Sequence, residues 1–309
     1  MAPRKVIIDC DPGTDDAIAL FLAFASPELE ICLVTVVGGN AGLDHTLPNA
    51  RALVGLARAD VKVVAGADRP LLGRFIPEPR VHCSDGIGGV RLPEGPPAAP
   101  GVAADAIRDM LRASGAEKIT LVGIGPATSL ALVLATEPEL AGRIQEIVLM
   151  TGAWAEGNAT PAAEFNAWSD PEALAVVLAC GRPVTLATLE LTAQALCTPA
   201  RLAALRARGG GTCLRAACDI MASVPPSRRL GGAGIAQHDA CAIAWLVAPA
   251  LFTGRAVHAG VDLGEGPGRG RTVIDRWERL RQPANAHLLE TLDGENFFHL
   301  LGERIASLP

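Results

Sequence analysis

Short apolar runs alternating with helical patterns constrain this chain more than any other feature. Residues 6–8, 31–37, 61–65, 119–122, 146–150 and 183–187 read as buried strands. Helical periodicity falls between them, over 15–25, 47–59, 102–113, 128–135 and 171–180. Strands that alternate with helices pair in parallel and are covered on both faces. The expected fold is therefore α/β, an open, mostly parallel sheet flanked by helices. In such sheets ligands bind beyond the carboxyl ends of the strands. No internal repeat and no composition break divides the 309 residues, so one domain over 1–309 is expected.

The end of the first strand carries an unusual load. From residue 5 the chain reads K-V-I-I-D-C-D-P-G-T-D-D, with Asp9 and Asp11 at the strand end and Asp15 and Asp16 opening a helix. Pro12-Gly13 turns the chain tightly between them, so the carboxylates converge. One acid, or Thr14, is enough to cap the helix. Four acids within eight residues repel one another unless a cation sits among them. Oxygen ligands alone favour calcium or magnesium over zinc. A strand-end D-x-D also suits a magnesium-dependent phosphohydrolase of the haloacid dehalogenase type, with Asp9 as nucleophile. Here the threonine of that signature comes one place late, at Thr14, and lysines able to hold a phosphate are few.

Other polar segments gather at the same sheet edge. Residues 152–173, G-A-W-A-E-G-N-A-T-P-A-A-E-F-N-A-W-S-D-P-E-A, follow a strand and offer Asn158, Glu164 and Asn166 with little positive charge. Amides beside a carboxylate suit a polyhydroxylated ligand such as a sugar. Asp170 before Pro171 is the expected helix cap. Gln237-His238-Asp239 precedes an apolar helix over 241–247, where Asp239 is either a cap or a ligand. Val36-Val37-Gly38-Gly39-Asn40, the His82-Cys83-Ser84-Asp85-Gly86 loop, and the glycines after the strand at 119–122 allow backbone to approach a ligand closely. Two long loops, 69–100 and 223–237, are expected to order over a bound ligand.

Composition removes several classes. A net charge of −6 gives no basic footprint for nucleic acid. No apolar run is long enough to span a membrane. The start, M-A-P-R-K, runs directly into the first strand, so no signal peptide is expected. Eight scattered cysteines with no C-x-x-C pair suggest a reduced, cytoplasmic protein.

Taken in order, D-x-D-P-G-x-D-D at 9–16, V-V-G-G-N at 36–40, H-x-x-D-G-x-G at 82–88, E-G-N-A-T-x-x-A-E-F-N at 156–166 and H-D at 238–239 resemble the nucleoside hydrolase family, the inosine-uridine preferring and related ribohydrolases. The similarity extends from about residue 5 to past 275. It implies calcium-dependent hydrolysis of the N-glycosidic bond of ribonucleosides, giving ribose and free nucleobase. It also implies Ca2+ held by Asp11, Asp16, Asp239 and the carbonyl of Ile124. Asp15, Asn40, Asn158, Glu164 and Asn166 would hold the ribose. Asp11 would activate water, and His238, a histidine of ordinary pKa near 6.5, would assist base departure. His82 would lie near the leaving group. Phe165, Trp154 and Trp168 are each either a core residue or a substitute for the aromatic stacking that relatives give the base. A homodimer or homotetramer is implied as well. The chain departs from the family in having Cys83 where glycine is usual. It has no tyrosine, and its 223–237 loop carries Arg228 and Arg229 instead. Base preference between purine and pyrimidine is left open, with His238 pointing to purine competence and broad use. A sugar- or nucleoside-binding protein that keeps the calcium cage without catalysis is the remaining alternative.

Overall fold

A computed structural model describes residues 2–309. Its first half follows the expected alternation: β1 (Arg4–Cys10), α1 (Thr14–Phe24), β2 (Leu29–Val36), α2 (Leu43–Ala57) and β3 (Val63–Ala65). After a one-turn helix α3 (Pro79–His82) come α4 (Ala103–Ala113), β4 (Ile119–Gly123), α5 (Thr128–Thr136) and β5 (Ile144–Met150). Short α6 (Phe165–Ser169), α7 (Pro171–Leu178) and β6 (Val184–Ala187) complete this half. Each expected strand and helix of this half is present, with ends shifted by a few residues.

The second half is less regular. It holds α8 (Leu189–Thr192), β7 (Leu196–Cys197), α9 (Pro199–Ala207), α10 (Thr212–Ser223) and β8 (Ile235–Ala236). These are followed by α11 (Ala240–Val247), β9 (Phe252–Val261), β10 (Thr272–Asp275), β11 (Ala286–Leu292) and α12 (Gly294–Ala306).

Nine strands form one sheet in the order β10-β9-β11-β6-β5-β4-β1-β2-β3. From β3 to β11 every neighbouring pair is parallel, and β9 alone adds antiparallel pairings, to β11 and β10. The chain winds outward from β1 to β3, then returns to lay β4 on the other side of β1. A crevice opens at such a switch point, beyond the carboxyl ends of β1 and β4. Asp11 directly follows β1 and Ile124 directly follows β4.

Strand alternation sorts the core into two layers. Val6, Ile8 and Cys10 of β1, Val122 of β4 and Val148 of β5 face one layer, while Ile7, Leu121, Ile147 and Leu149 face the other. Helix α1 is apolar all round because it lies inside the first layer, packed by α2, α10, α11 and α12. Its amino end, with Asp15 and Asp16, is thereby fixed under the crevice. Helices α4, α5 and α7 cover the other face. Among the described residues, no helix is long and apolar enough to cross a membrane. All eight cysteines are free.

Candidate active site

The crevice at the switch point opens into a cavity of about 700 Å3. Asp15, Asn40, His82, Asn158, Glu164, Phe165 and Asn166 all line it, as do Ile124, His238 and Asp239. Asp11 and Asp16 lie beneath that surface, each fully buried. Segments separated by more than 200 residues of sequence therefore converge on one place.

Glycine makes room for Asp11. A Cβ on Gly39 would lie 2.1 Å from Asp11 Oδ2, and one on Gly125 would lie 2.5 Å from Oδ1. The Asn40 N–H donates to Asp11 Oδ2 at 2.6 Å. Oδ1 is buried without a hydrogen-bond partner among the described residues. Asp16 is held as a helix-start acid, accepting from the N–H groups of Asp11 at 3.1 Å and Gly13 at 2.9 Å. The Asn40 side chain bridges the two, donating to the Asp11 carbonyl at 3.2 Å and to Asp16 Oδ2 at 3.0 Å. Asp239 occupies the first position before α11, yet its side chain makes no capping bond. It faces Asp16 instead, which favours the ligand reading of this residue over the cap reading.

Asp15, Asp16 and Asp239 each place a carboxylate oxygen within 4.8 Å of the others. No lysine or arginine pairs with Asp11, Asp15, Asp16 or Asp239 among the described ion pairs. Burial, with mutual repulsion adding to it, pushes Asp15 up to about 7 and Asp11 and Asp239 well above the usual carboxylate range. Burial also raises Asp16, to about 6. Buried like charges, an orphaned Oδ1 and an all-oxygen donor set fit a hard divalent cation. The Ile124 carbonyl adjoins them and accepts from Asn166 Nδ2 at 3.0 Å, with a second lone pair to spare.

The sugar-side residues have structural duties that the sequence did not announce. Glu164 is itself a helix cap. Its carboxylate accepts from the N–H groups of Asn166 at 2.8 Å, Ala167 at 3.0 Å and Gly152 at 2.8 Å. Asn158 Oδ1 accepts from the Phe165 N–H at 2.8 Å. These bonds lock the 152–166 loop against α6. Asp170 caps α7 as expected, accepting from the Ala173 N–H at 3.1 Å.

Two histidines face the cavity in a state that the ordinary pKa of histidine does not suggest. Burial lowers both His82 and His238 to about 4, so both rings are neutral near pH 7. His82 Nδ1 accepts from the Thr14 N–H at 3.2 Å, which puts the ring proton on Nε2 and clips α3 onto the start of α1. His238 Nδ1 lies 2.6 Å from Thr192 Oγ1. Nothing in the sequence signals Thr192, which comes from α8 by a contact of long sequence separation. Among the aromatics named from sequence, only Phe165 lines this cavity. Trp154 stacks under the Arg276 guanidinium at 4.2 Å, and Trp168 lines a separate groove beside Gly38.

Residues 6–299 match the family model of the inosine-uridine preferring nucleoside hydrolases. The chain is 41% identical over 305 residues to the pyrimidine-specific ribonucleoside hydrolase RihA of Salmonella gallinarum, covering 97% of each chain. Its fold is similar to that of a purine-preferring ribonucleoside hydrolase from Gardnerella vaginalis, with a TM-score of 0.90, 30% identity and 98% of each chain covered. A plant nucleoside hydrolase, PpNRh1, superposes as well, with a TM-score of 0.90, 29% identity and 99% of each chain covered. An acidic cage at the switch point of this fold, in a chain so matched along its length, belongs to the inosine-uridine preferring nucleoside hydrolase family, and the protein is an N-glycosyl hydrolase.

Proposed function

We propose that the protein hydrolyses ribonucleosides to ribose and free nucleobase with the help of Ca2+, and that the chain acts as one domain. The observation that carries this reading is the buried, unneutralised carboxylate cage beside a line of amides and carboxylates in the same cavity. Asp11, Asp16, Asp239 and the Ile124 carbonyl are the proposed ligands. When bound, the cation supplies positive charge that keeps these carboxylates ionised and makes a nearby water more acidic.

Asp11 takes the proton from the attacking water through Oδ1, while the Asn40 N–H holds Oδ2 and fixes the direction of attack. The water oxygen bonds to C1′ as the C1′–N bond breaks. The ribosyl carbon passes through oxocarbenium character, which Asp15 and Glu164 favour by their negative charge. Asn40, Asn158 and Asn166 hold the hydroxyls, and Phe165 bounds the sugar side. On the leaving side, His238 serves as a neutral ring. With Nδ1 at Thr192, its other nitrogen donates a hydrogen bond to the base as negative charge builds there, and the departing base takes up a proton from solvent as Asp11 gives its own back. His82 lies on the same side.

The RihA relative acts on pyrimidine ribonucleosides, so uridine and cytidine are the first substrates to compare with inosine. Eight free cysteines support a reducing, cytoplasmic location. The family supports a homodimer or homotetramer. Asp11→Asn tests the mechanism: nucleoside binding measured by calorimetry should persist while ribose release vanishes. Full turnover by that variant would remove Asp11 from the role of base.

A further inference from the structure

Beside His238, the cavity wall holds a polar side chain without a duty. Gln237 follows β8, and its backbone is pinned at both ends. Its N–H donates to the Ala195 carbonyl at 2.9 Å, and its carbonyl accepts from Cys241 Sγ at 3.3 Å. The side chain lines the cavity and is only 3% exposed. Its Oε1 is buried with no hydrogen-bond partner among the described residues. Its Nε2 reaches only the neighbouring Ala236 carbonyl, at 3.5 Å, beyond good hydrogen-bond length. An apolar side chain of the same size would fill this position at lower cost to the fold. A buried amide left in this condition is built for something that arrives.

We propose that Gln237 is a specificity-determining residue whose carboxamide pairs with the donor–acceptor edge of the nucleobase. This rests on the reading of the cavity as a nucleoside site. The sugar-side groups come from the 9–16, 36–40 and 158–166 segments, whereas Gln237 adjoins His238 on the leaving side. A carboxamide offers one acceptor oxygen and one donor nitrogen side by side. Uracil and hypoxanthine present an N–H beside a carbonyl. Cytosine and adenine present a ring nitrogen beside an amine. Each edge matches the carboxamide in one of its two orientations. No partner fixes which way the Gln237 amide faces, so it turns over to suit either edge. The residue therefore admits both pyrimidine types and refuses a base whose edge is blocked. Sites that bind a substrate group by hydrogen bonds discriminate strongly against analogues that lack it.

The test compares uridine with 3-methyluridine, which has the same sugar and the same bond to break but no N3–H. The wild-type enzyme should prefer uridine by about tenfold or more in kcat/KM. Gln237→Leu and Gln237→Met should bring the two substrates to within about threefold of each other, by losing uridine and not 3-methyluridine. Both variants should unfold at or above the wild-type temperature, because the orphaned amide is gone. An unchanged uridine to 3-methyluridine ratio in the Leu and Met variants overturns the proposal. So does a proportional loss on both substrates with lowered stability, which marks a structural role. A wild-type enzyme that releases ribose from no nucleoside removes the nucleoside reading itself, and this inference with it.

Discussion

Alanine at position 39 would place a methyl group where Asp11 keeps its carboxylate. The new Cβ would lie 2.1 Å from Asp11 Oδ2 and 2.9 Å from Pro126 Cδ, whereas ordinary contact begins at 3.4 Å. A contact this short cannot stand, so the carboxylate end must shift away from the new methyl group. Asp11 must therefore swing by about 1 Å and give up the 2.6 Å bond from the Asn40 N–H. A misplacement of about 1 Å in a catalytic group costs about 100-fold in rate, or about 2.7 kcal/mol of barrier. Gly39→Ala should accordingly lower kcat/KM for uridine by about 100-fold or more, measured by ribose release. Overpacking of this kind costs about 1–3 kcal/mol of stability, which leaves a folded protein to assay. Gly142→Ala is the matched control, because nothing lies within 4 Å of its Cβ. Wild-type kcat/KM in Gly39→Ala would refute the argument that Asp11 must sit where it does.

Two further perturbations probe the cage and the leaving side. Asp239→Asn removes one of the mutually repelling buried carboxylates, so the metal-free protein should melt at a higher temperature than wild type while gaining less from added Ca2+. Calorimetric melting with chelator and with Ca2+ checks this, and a lower melting temperature in chelator would contradict it. Thr192→Val removes the 2.6 Å partner of His238 Nδ1, so kcat should fall by about tenfold with KM nearly unchanged. A rise in KM alone, in steady-state kinetics, would place Thr192 in binding instead.

The first half of the fold was legible because its strands are buried on both faces and punctuated by glycine and proline. Residues 146–150 and 183–187 could hardly be anything else. The second half resists such reading for physical reasons. Strand β9 carries Gly254 and Gly260 and opens with four consecutive exposed residues, 253–256, next to the edge strand β10. Strands β7 and β8 are two residues each, and they meet only because α9 and α10 bring them together. Helix α12 did carry a signal, Asp293 before an amphipathic run, and Asp293 does cap it. The acidic cage was visible because acids crowded around one tight turn repel one another, and a bound cation relieves that repulsion. The support around it was not. Thr192 and Gln237 act through contacts set by tertiary packing, and the bond that Glu164 accepts from the Gly152 N–H depends on where that loop comes to rest. The neutral state of His238 likewise follows from its burial.

The most direct test of the account is ribose release from uridine, cytidine and inosine in phosphate-free buffer, with a chelator and then with Ca2+ restored. Release that the chelator abolishes and Ca2+ restores is the predicted result. Undiminished release in the fully chelated enzyme would contradict the claim that the carboxylate cage works by holding a cation.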